Sequence, residues 1–323
     1  MARRAVNAIG VNYSRLTPIA LAGLCALVAC TPGDGAAGAG GRGTPAAAEV
    51  TPSPTGLSPK RYRAELNAAI KPVRSRFASL AKTRTVDKLD GRLERTQEAI
   101  TRAVDRLRDI DPPPEAAAEH TRYVDRLEAV GRRLDQLTGS VADRSLCSSS
   151  ALLNRLGAKV LDDLKAAAKR LNARGDYDAR AIDVKVPKRR NRRLANGTLI
   201  RNGGRGGRAY LRIRNGLSHD AVVTLVRGKS RVLSVYVRKN KSYQINGVRD
   251  GTYRIYFTTG DDWDGSARTF TRNCDFSRFE DPVRFQTFYT GGSIQWQNWS
   301  LTLHPVLGGN ARTRSVRPGD FPT

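Results

Sequence analysis

The sequence predicts an α+β chain of two segregated domains, an N-terminal antiparallel four-helix bundle followed by a C-terminal antiparallel β-sandwich. Two observations predict it. Apolar residues recur three and four apart from Ser58 to about Ala173, the period of a helix face, and from about Gly197 they recur two apart, the period of a half-buried strand. Turn pairs such as Asn215-Gly216, Asn246-Gly247 and Asp250-Gly251 then cut the second region into short runs, which suits a sandwich better than a parallel sheet. At 323 residues the chain is long enough for each domain to bury its own core.

Ahead of both domains lies an export signal. Arg3, Arg4 and Arg15 form a basic start, Ile19 to Val28 an apolar run, and a small residue precedes Cys30. The run falls well short of the roughly 20 residues needed to cross hydrocarbon. Residues 1–29 therefore read as a signal peptide, by the general secretory route because Val6 and Asn7 do not suit a twin-arginine signal. Leu27-Val28-Ala29-Cys30 looks like a lipobox, which implies cleavage before Cys30 and diacylglycerol on its sulfur. Two acyl chains suffice as a stable anchor where one does not. From Cys30 to Leu57 the chain is Gly, Ala, Thr and Pro with few large apolar side chains, a composition that cannot offset ordering entropy. Residues 30–57 thus read as a lipidated cysteine and a disordered tether, averaging about 30 Å in reach.

The bundle is expected over 58–175. Its first helix opens at Ser58-Pro59, an N-cap followed by Pro at the first helical position, and carries Tyr62, Leu66, Ile70, Val73, Phe77 and Leu80, with a kink expected at Pro72. After a turn at Lys82 to Thr85 the second carries Leu89, Leu93, Ile100, Val104 and Leu107, and Asp111-Pro112-Pro113-Pro114 ends it. The third carries Tyr123, Leu127, Val130, Leu134, Leu137 and Val141. Ser148-Ser149-Ser150 supply caps for the fourth, which runs through Leu152, Leu156, Leu161, Leu164 and Leu171. Short connections favour an up-down-up-down order, and turns break the heptads before a coiled-coil stalk can accumulate.

Residues 176–196 form a basic linker, in which Ala181 to Asn196 carry Lys185, Lys188, Arg189, Arg190, Arg192 and Arg193 against one acid, Asp183. Such a run reads either as a solvated connection or as a polybasic contact to headgroups or wall polymer. The sandwich is expected over 197–311, with alternation in Leu211/Ile213, Leu233/Val235/Val237 and Tyr253/Ile255/Phe257. In the last strand Ile294 and Trp296 differ in parity from Trp299, Leu301 and Leu303, so a bulge at Gln297-Asn298 would set all five on the core face. A C-terminal tail, 312–323, follows.

Arg212-Ile213-Arg214-Asn215-Gly216, Asp220-Ala221-Val222-Val223, Tyr236-Val237-Arg238, Asp250-Gly251-Thr252-Tyr253 and Leu303-His304-Pro305-Val306 with Gly308-Gly309-Asn310-Ala311 together resemble an uncharacterised β-rich domain of secreted proteins from high-GC Gram-positive bacteria. The Asp250-Gly251-Thr252-Tyr253 turn is also similar to prealbumin-like and carboxypeptidase-regulatory-like sandwiches. The helical half resembles bundle lipoproteins with a Pro-Pro segment followed by a His, here Pro112-Pro113-Pro114 and His120. These resemblances imply a fold and no catalytic activity.

The residues for catalysis are scarce. His120, His219 and His304 are the three histidines, and none stands in a metal-binding spacing. Asp261, Asp262 and Asp264 with Gly265 lack the closing Glu of a calcium loop, and Gly203, Gly204, Gly206 and Gly207 precede no helix that could receive phosphate. No catalytic residue, metal or cofactor is expected. Trp296 and Trp299 are expected in the core, which leaves Trp263 as the exposed tryptophan for ligand stacking. Four cysteines are present; Cys25 leaves with the signal and Cys30 takes lipid, so Cys147 and Cys274, one per domain, are candidates for a disulfide outside the cell.

Lys and Arg number 56 against 30 acids, a net charge of +26, and only three of the arginines lie in the signal. Such a field steers polyanions. Outside the membrane these are lipid headgroups and wall polymers rather than nucleic acid. The expectation is a non-enzymatic lipoprotein on the outer face of the cytoplasmic membrane that presents a basic surface to anionic wall polymer or lipid headgroups. The alternative is a protein-interaction or regulatory module for another exported protein, and a hydrolase is a distant third.

Overall fold

The computed structural model describes residues 56–304 and 311–322. The signal peptide, Cys30 and the tether to residue 55 lie outside the described residues. What is described is α+β, helices first and a C-terminal sheet domain second.

The first three helices fall where the apolar stripes put them: α1 (Pro59–Ala81), α2 (Leu89–Arg108) and α3 (Ala117–Ala142). Pro59 starts α1 at a position where a missing N–H costs nothing, and the helix runs through Pro72 to Ala81. The expected fourth helix is two, α4 (Ser149–Leu156) and α5 (Ala158–Asn172), so the described residues hold five helices rather than four. The reason is Gly157, whose φ of 94° and ψ of 146° are far from helical and turn the chain between them. Ser148 caps α4 by accepting from the Ala151 N–H at 3.2 Å. Tyr62, Leu66, Ile70, Phe77, Leu93, Tyr123, Leu134, Leu152 and Leu171 meet in one helical core.

Twelve strands follow among the described residues: β1 (Leu199–Asn202), β2 (Arg205–Asn215), β3 (Asp220–Arg227), β4 (Ser230–Val237), β5 (Lys241–Val248), β6 (Gly251–Asp264), β7 (Thr269–Phe279), β8 (Val283–Phe285), β9 (Thr287–Thr290), β10 (Ser293–Trp296), β11 (Trp299–Thr302) and β12 (Thr313–Ser315). The larger sheet runs β1-β4-β3-β6-β7-β12 with β8 also paired to β6, and the smaller runs β11-β2-β5. Leu211, Ile213 and Ile245 of the smaller sheet share a core with Val223, Leu225, Val235 and Ile255 of the larger. The pairing is not wholly antiparallel, because β11 runs parallel to β2, with Trp299 opposite Leu211 and Leu301 opposite Ile213.

Three expectations about the sheet domain are corrected. Gln297-Asn298 is not a bulge within one strand; it connects β10, in a separate hairpin with β9, to β11 in the smaller sheet. Leu301 and Leu303 are buried and Trp299 is half-buried, whereas Ile294 and Trp296 are exposed. The expected tail, 312–323, packs on the sheet domain as far as residue 322: β12 pairs with β7, and Phe321 packs on Phe276 and Tyr256 at ring separations of 5.2 and 5.8 Å.

A third core joins the domains. Val222, Tyr236, Trp263, Phe270 and Phe276 on the outer face of the larger sheet pack with Phe321 and the Cys147–Cys274 disulfide. This is why β3 is buried on both faces from Asp220 to Val226 and shows no alternation. Beside the disulfide, the Cys147 N–H donates to the Thr271 carbonyl at 2.9 Å and the Cys274 N–H to the Arg144 carbonyl at 3.1 Å, so the chain after α3 runs as an added edge along β7.

Candidate anionic-surface interface

Residues 176–196 have no regular secondary structure, yet they are not a free linker. Tyr177, Ala179, Ala181 and Ile182 are buried in the helical core, and Val184 and Val186 pack against it. Alternation along an extended chain turns the intervening Lys185 to solvent. Past Pro187 the strap crosses to the sheet domain and exposes Lys188, Arg189 and Arg190.

The next two cations behave differently, which corrects their reading as surface contacts. Arg192 Nε and Nη2 each donate to one oxygen of Asp262 at 2.9 Å, its own backbone N–H donates to the same carboxylate at 2.8 Å, and Thr271 adds a hydroxyl at 2.7 Å. Burial alone would raise the Asp262 carboxyl, but these bonds to its ionised form outweigh it and hold the group down at about 2. Arg193 grips Asp220 through two bonds of 2.6 Å, and Asp220 also accepts from the Tyr236 hydroxyl at 2.5 Å and the Lys239 N–H at 2.9 Å. Burial opposes the Asp220 carboxylate, yet the Arg193 and Tyr236 bonds keep its pKa below the ordinary value. Arg192 and Arg193 are therefore clamps of the strap onto β3 and β6.

Arg272 donates to the Arg190 carbonyl at 3.1 Å and to Asn191 Oδ1 at 2.7 Å, which fixes the backbone bearing the exposed cations. Together with Arg155 of α4 they line a crevice of about 180 Å³ over the domain junction. Its acids, Asp262 and Asp264, both bond to Arg192. The acidic run Asp261 to Asp264 is thus not a loop but the end of β6, and it is a receptor for an arginine. Among the described residues no group of three or more His, Cys, Asp or Glu is arranged to hold a metal ion.

Trp263, expected to be exposed for stacking, is 4% exposed and packs edge-on against Phe270, with ring centroids 5.0 Å apart. His120 is buried, accepting from the Tyr62 hydroxyl at 2.7 Å if its other nitrogen donates to the Leu107 carbonyl at 2.9 Å. It ties α1, α2 and α3 together. His219 pairs with Asp261 at 3.1 Å.

Sequence reasoning missed a second set of cations. On the outward face of the smaller sheet Arg212 stands between Gln244 and Ser300, and Arg214 between Ser242 and Thr302. Both are exposed, with no acidic partner within ion-pair distance among the described residues. Their side chains leave the strand roughly 7 Å apart, a spacing that lets two phosphates bind at once. The strict alternation over residues 211–214 was the signal.

No protein family, curated protein or solved structure matches this chain.

Proposed function

We propose that the protein is an exported lipoprotein, cut before Cys30 and held by diacylglycerol on the outer face of the cytoplasmic membrane, with a non-enzymatic role there. It offers a basic surface to anionic wall polymer or lipid headgroups, and its sheet domain belongs to the sandwich class. One observation supports the surface above the rest. Within a single strap, Arg192 and Arg193 are spent on buried carboxylates, while Lys185, Lys188, Arg189 and Arg190 stay exposed with no acidic partner among the described residues. A cation near an anionic surface contributes about 1 kcal/mol, and anchored backbone reduces the entropy lost on contact.

Two measurements test the reading separately. Mass spectrometry of the mature chain is expected to find diacylglycerol on an N-terminal Cys30; an unlipidated N-terminus rejects the location. The detergent-solubilised chain is expected to be retained on immobilised anionic wall polymer at low salt and released as salt rises. Replacing Lys185, Lys188, Arg189 and Arg190 by Gln should weaken retention on the order of 100- to 1,000-fold. Retention indifferent to salt, or untouched by the four replacements, rejects the surface.

A further inference from the structure

Residues 285–311 contain no Asp, Glu, Lys or Arg in a chain that is 27% charged. In the middle of this stretch β9 and β10 pair only with each other and belong to neither sheet. The tip is Gly291-Gly292, with φ of 37° and 100°, a left-handed turn that glycine makes without strain. All four exposed large apolar side chains among the described residues lie here: Phe288, Tyr289, Ile294 and Trp296, at 42%, 73%, 41% and 43% exposure.

The register separates their faces. Ile294 lies opposite Tyr289, Trp296 opposite Thr287 and Gln295 opposite Phe288, so Tyr289, Ile294 and Trp296 share one face and Phe288 stands on the other. A protein partner docked on either face leaves apolar surface wet on the second. A bilayer interface surrounds the hairpin and takes both. Trp and Tyr are the side chains that settle at the headgroup level, apolar body inward and polar tip outward. The outer edges of a two-stranded hairpin carry unpaired N–H and C=O groups, which hydrocarbon does not tolerate, so the entry must be shallow.

At the base the Asp250 carboxylate accepts from the Thr287 N–H at 2.8 Å and from its hydroxyl at 3.0 Å, and three guanidinium groups outnumber it. Gln297 N–H donates to the Gln286 carbonyl at 3.0 Å and Trp299 Nε1 to the Arg284 carbonyl at 2.7 Å. Asn298 accepts from the Tyr210 N–H at 2.9 Å, and Ser300 lies opposite Arg212. Arg284, Arg212 and Arg214 are exposed, and no acidic residue among those described lies within ion-pair distance of them. An uncharged hairpin with aromatic side chains along both strands, over a base richer in guanidinium than in carboxylate, matches the two layers of an anionic bilayer surface.

We infer that the 287–296 hairpin inserts shallowly into the interface of an anionic phospholipid bilayer, with Tyr289, Ile294 and Trp296 as its anchors and Arg212, Arg214 and Arg284 on headgroup phosphates. The inference deepens the membrane part of the reading above and needs neither the lipid on Cys30 nor the strap to be tested. The probe is the full chain with vesicles of phosphatidylglycerol or of phosphatidylcholine, each carrying bromine on the upper acyl chain. Trp263 is buried and Trp299 half-buried, so the signal lost on Trp296→Phe isolates Trp296.

Quenching of Trp296 is expected with phosphatidylglycerol and not with phosphatidylcholine. Tyr289→Ser with Ile294→Ser and Trp296→Ser should weaken the binding that remains after Cys30→Ser by on the order of 100-fold, and Trp296→Phe alone should largely spare it. No Trp296 quenching on vesicles to which the chain is bound overturns the proposal. So does protection of Trp296 from iodide without vesicles: protection lost on dilution assigns the patch to a second copy, and protection that persists assigns it to another part of this chain. Failed polymer retention with intact Trp296 quenching rejects the strap and leaves the hairpin; the reverse result rejects the hairpin alone.

Discussion

His120 shows how one buried polar side chain is tied to pH. Its ring is 5% exposed, bonded to Tyr62 and to the Leu107 carbonyl, and burial lowers its pKa from the ordinary 6.5 despite the opposing backbone bond. The folded state thus binds the proton less readily than the unfolded chain. Stability contributed by the neutral ring is complete above pH 6.5 and is lost as pH falls through the folded-state value. Denaturant unfolding between pH 8 and 5 should show a decline that His120→Phe flattens. At pH 8 the same variant should cost about 1–3 kcal/mol, because the Tyr62 hydroxyl and the Leu107 carbonyl lose their partner. An equal pH slope in both proteins would deny His120 this part.

At the scale of elements, Gly157 decides that the helical domain has a fifth helix. A Cβ there would meet nothing within 4 Å, so space is not the obstacle; the φ of 94° is. Gly157→Ala should cost about 1–3 kcal/mol from backbone strain alone. Gly139, equally open but inside α3, is the control: Gly139→Ala should stabilise by about 0.5–1 kcal/mol, since an ordinary helical position favours alanine. Thermal unfolding of the two variants checks both signs, and equal effects would refute the argument. The break was illegible in the sequence because Leu153, Leu156, Val160 and Leu164 continue the spacings of three and four across it. The first three helices were legible because an amphipathic stripe is a local property. The hairpin was not, since alternation gives Ile294 and Trp296 a common face but cannot say whether a sheet covers it. The clamps were hidden for the same reason: Arg192 and Asp262 are 70 positions apart, and charge alone does not name a partner.

On the scale of the whole molecule, the two domains are held as one body by links that the sequence disclosed unequally. Two cysteines in separate domains could be read as candidates for a bond. The strap whose apolar half fills the helical core, and the C-terminal Phe321 seated on the sheet, could not, because both lack regular structure and carry weak local patterns. These links differ in their dependence on redox state. The Cys147–Cys274 bond closes a loop of 127 residues, for which the chain-entropy estimate is about 5 kcal/mol. The strap clamps Arg192–Asp262 and Arg193–Asp220, the backbone bonds between 144–147 and β7, and the aromatic junction around Trp263 do not depend on it. Cys147→Ser with Cys274→Ser should therefore leave the fold assembled, with a far-UV spectrum unchanged at 25 °C, and lower Tm by on the order of 10 °C. Reductant should lower the Tm of the unaltered chain by a similar amount and leave that of the double variant where it is. If removing the bond leaves Tm unchanged, the noncovalent junction alone sets the stability of the assembly; if it unfolds the chain at 25 °C, the clamps contribute far less than their geometry implies.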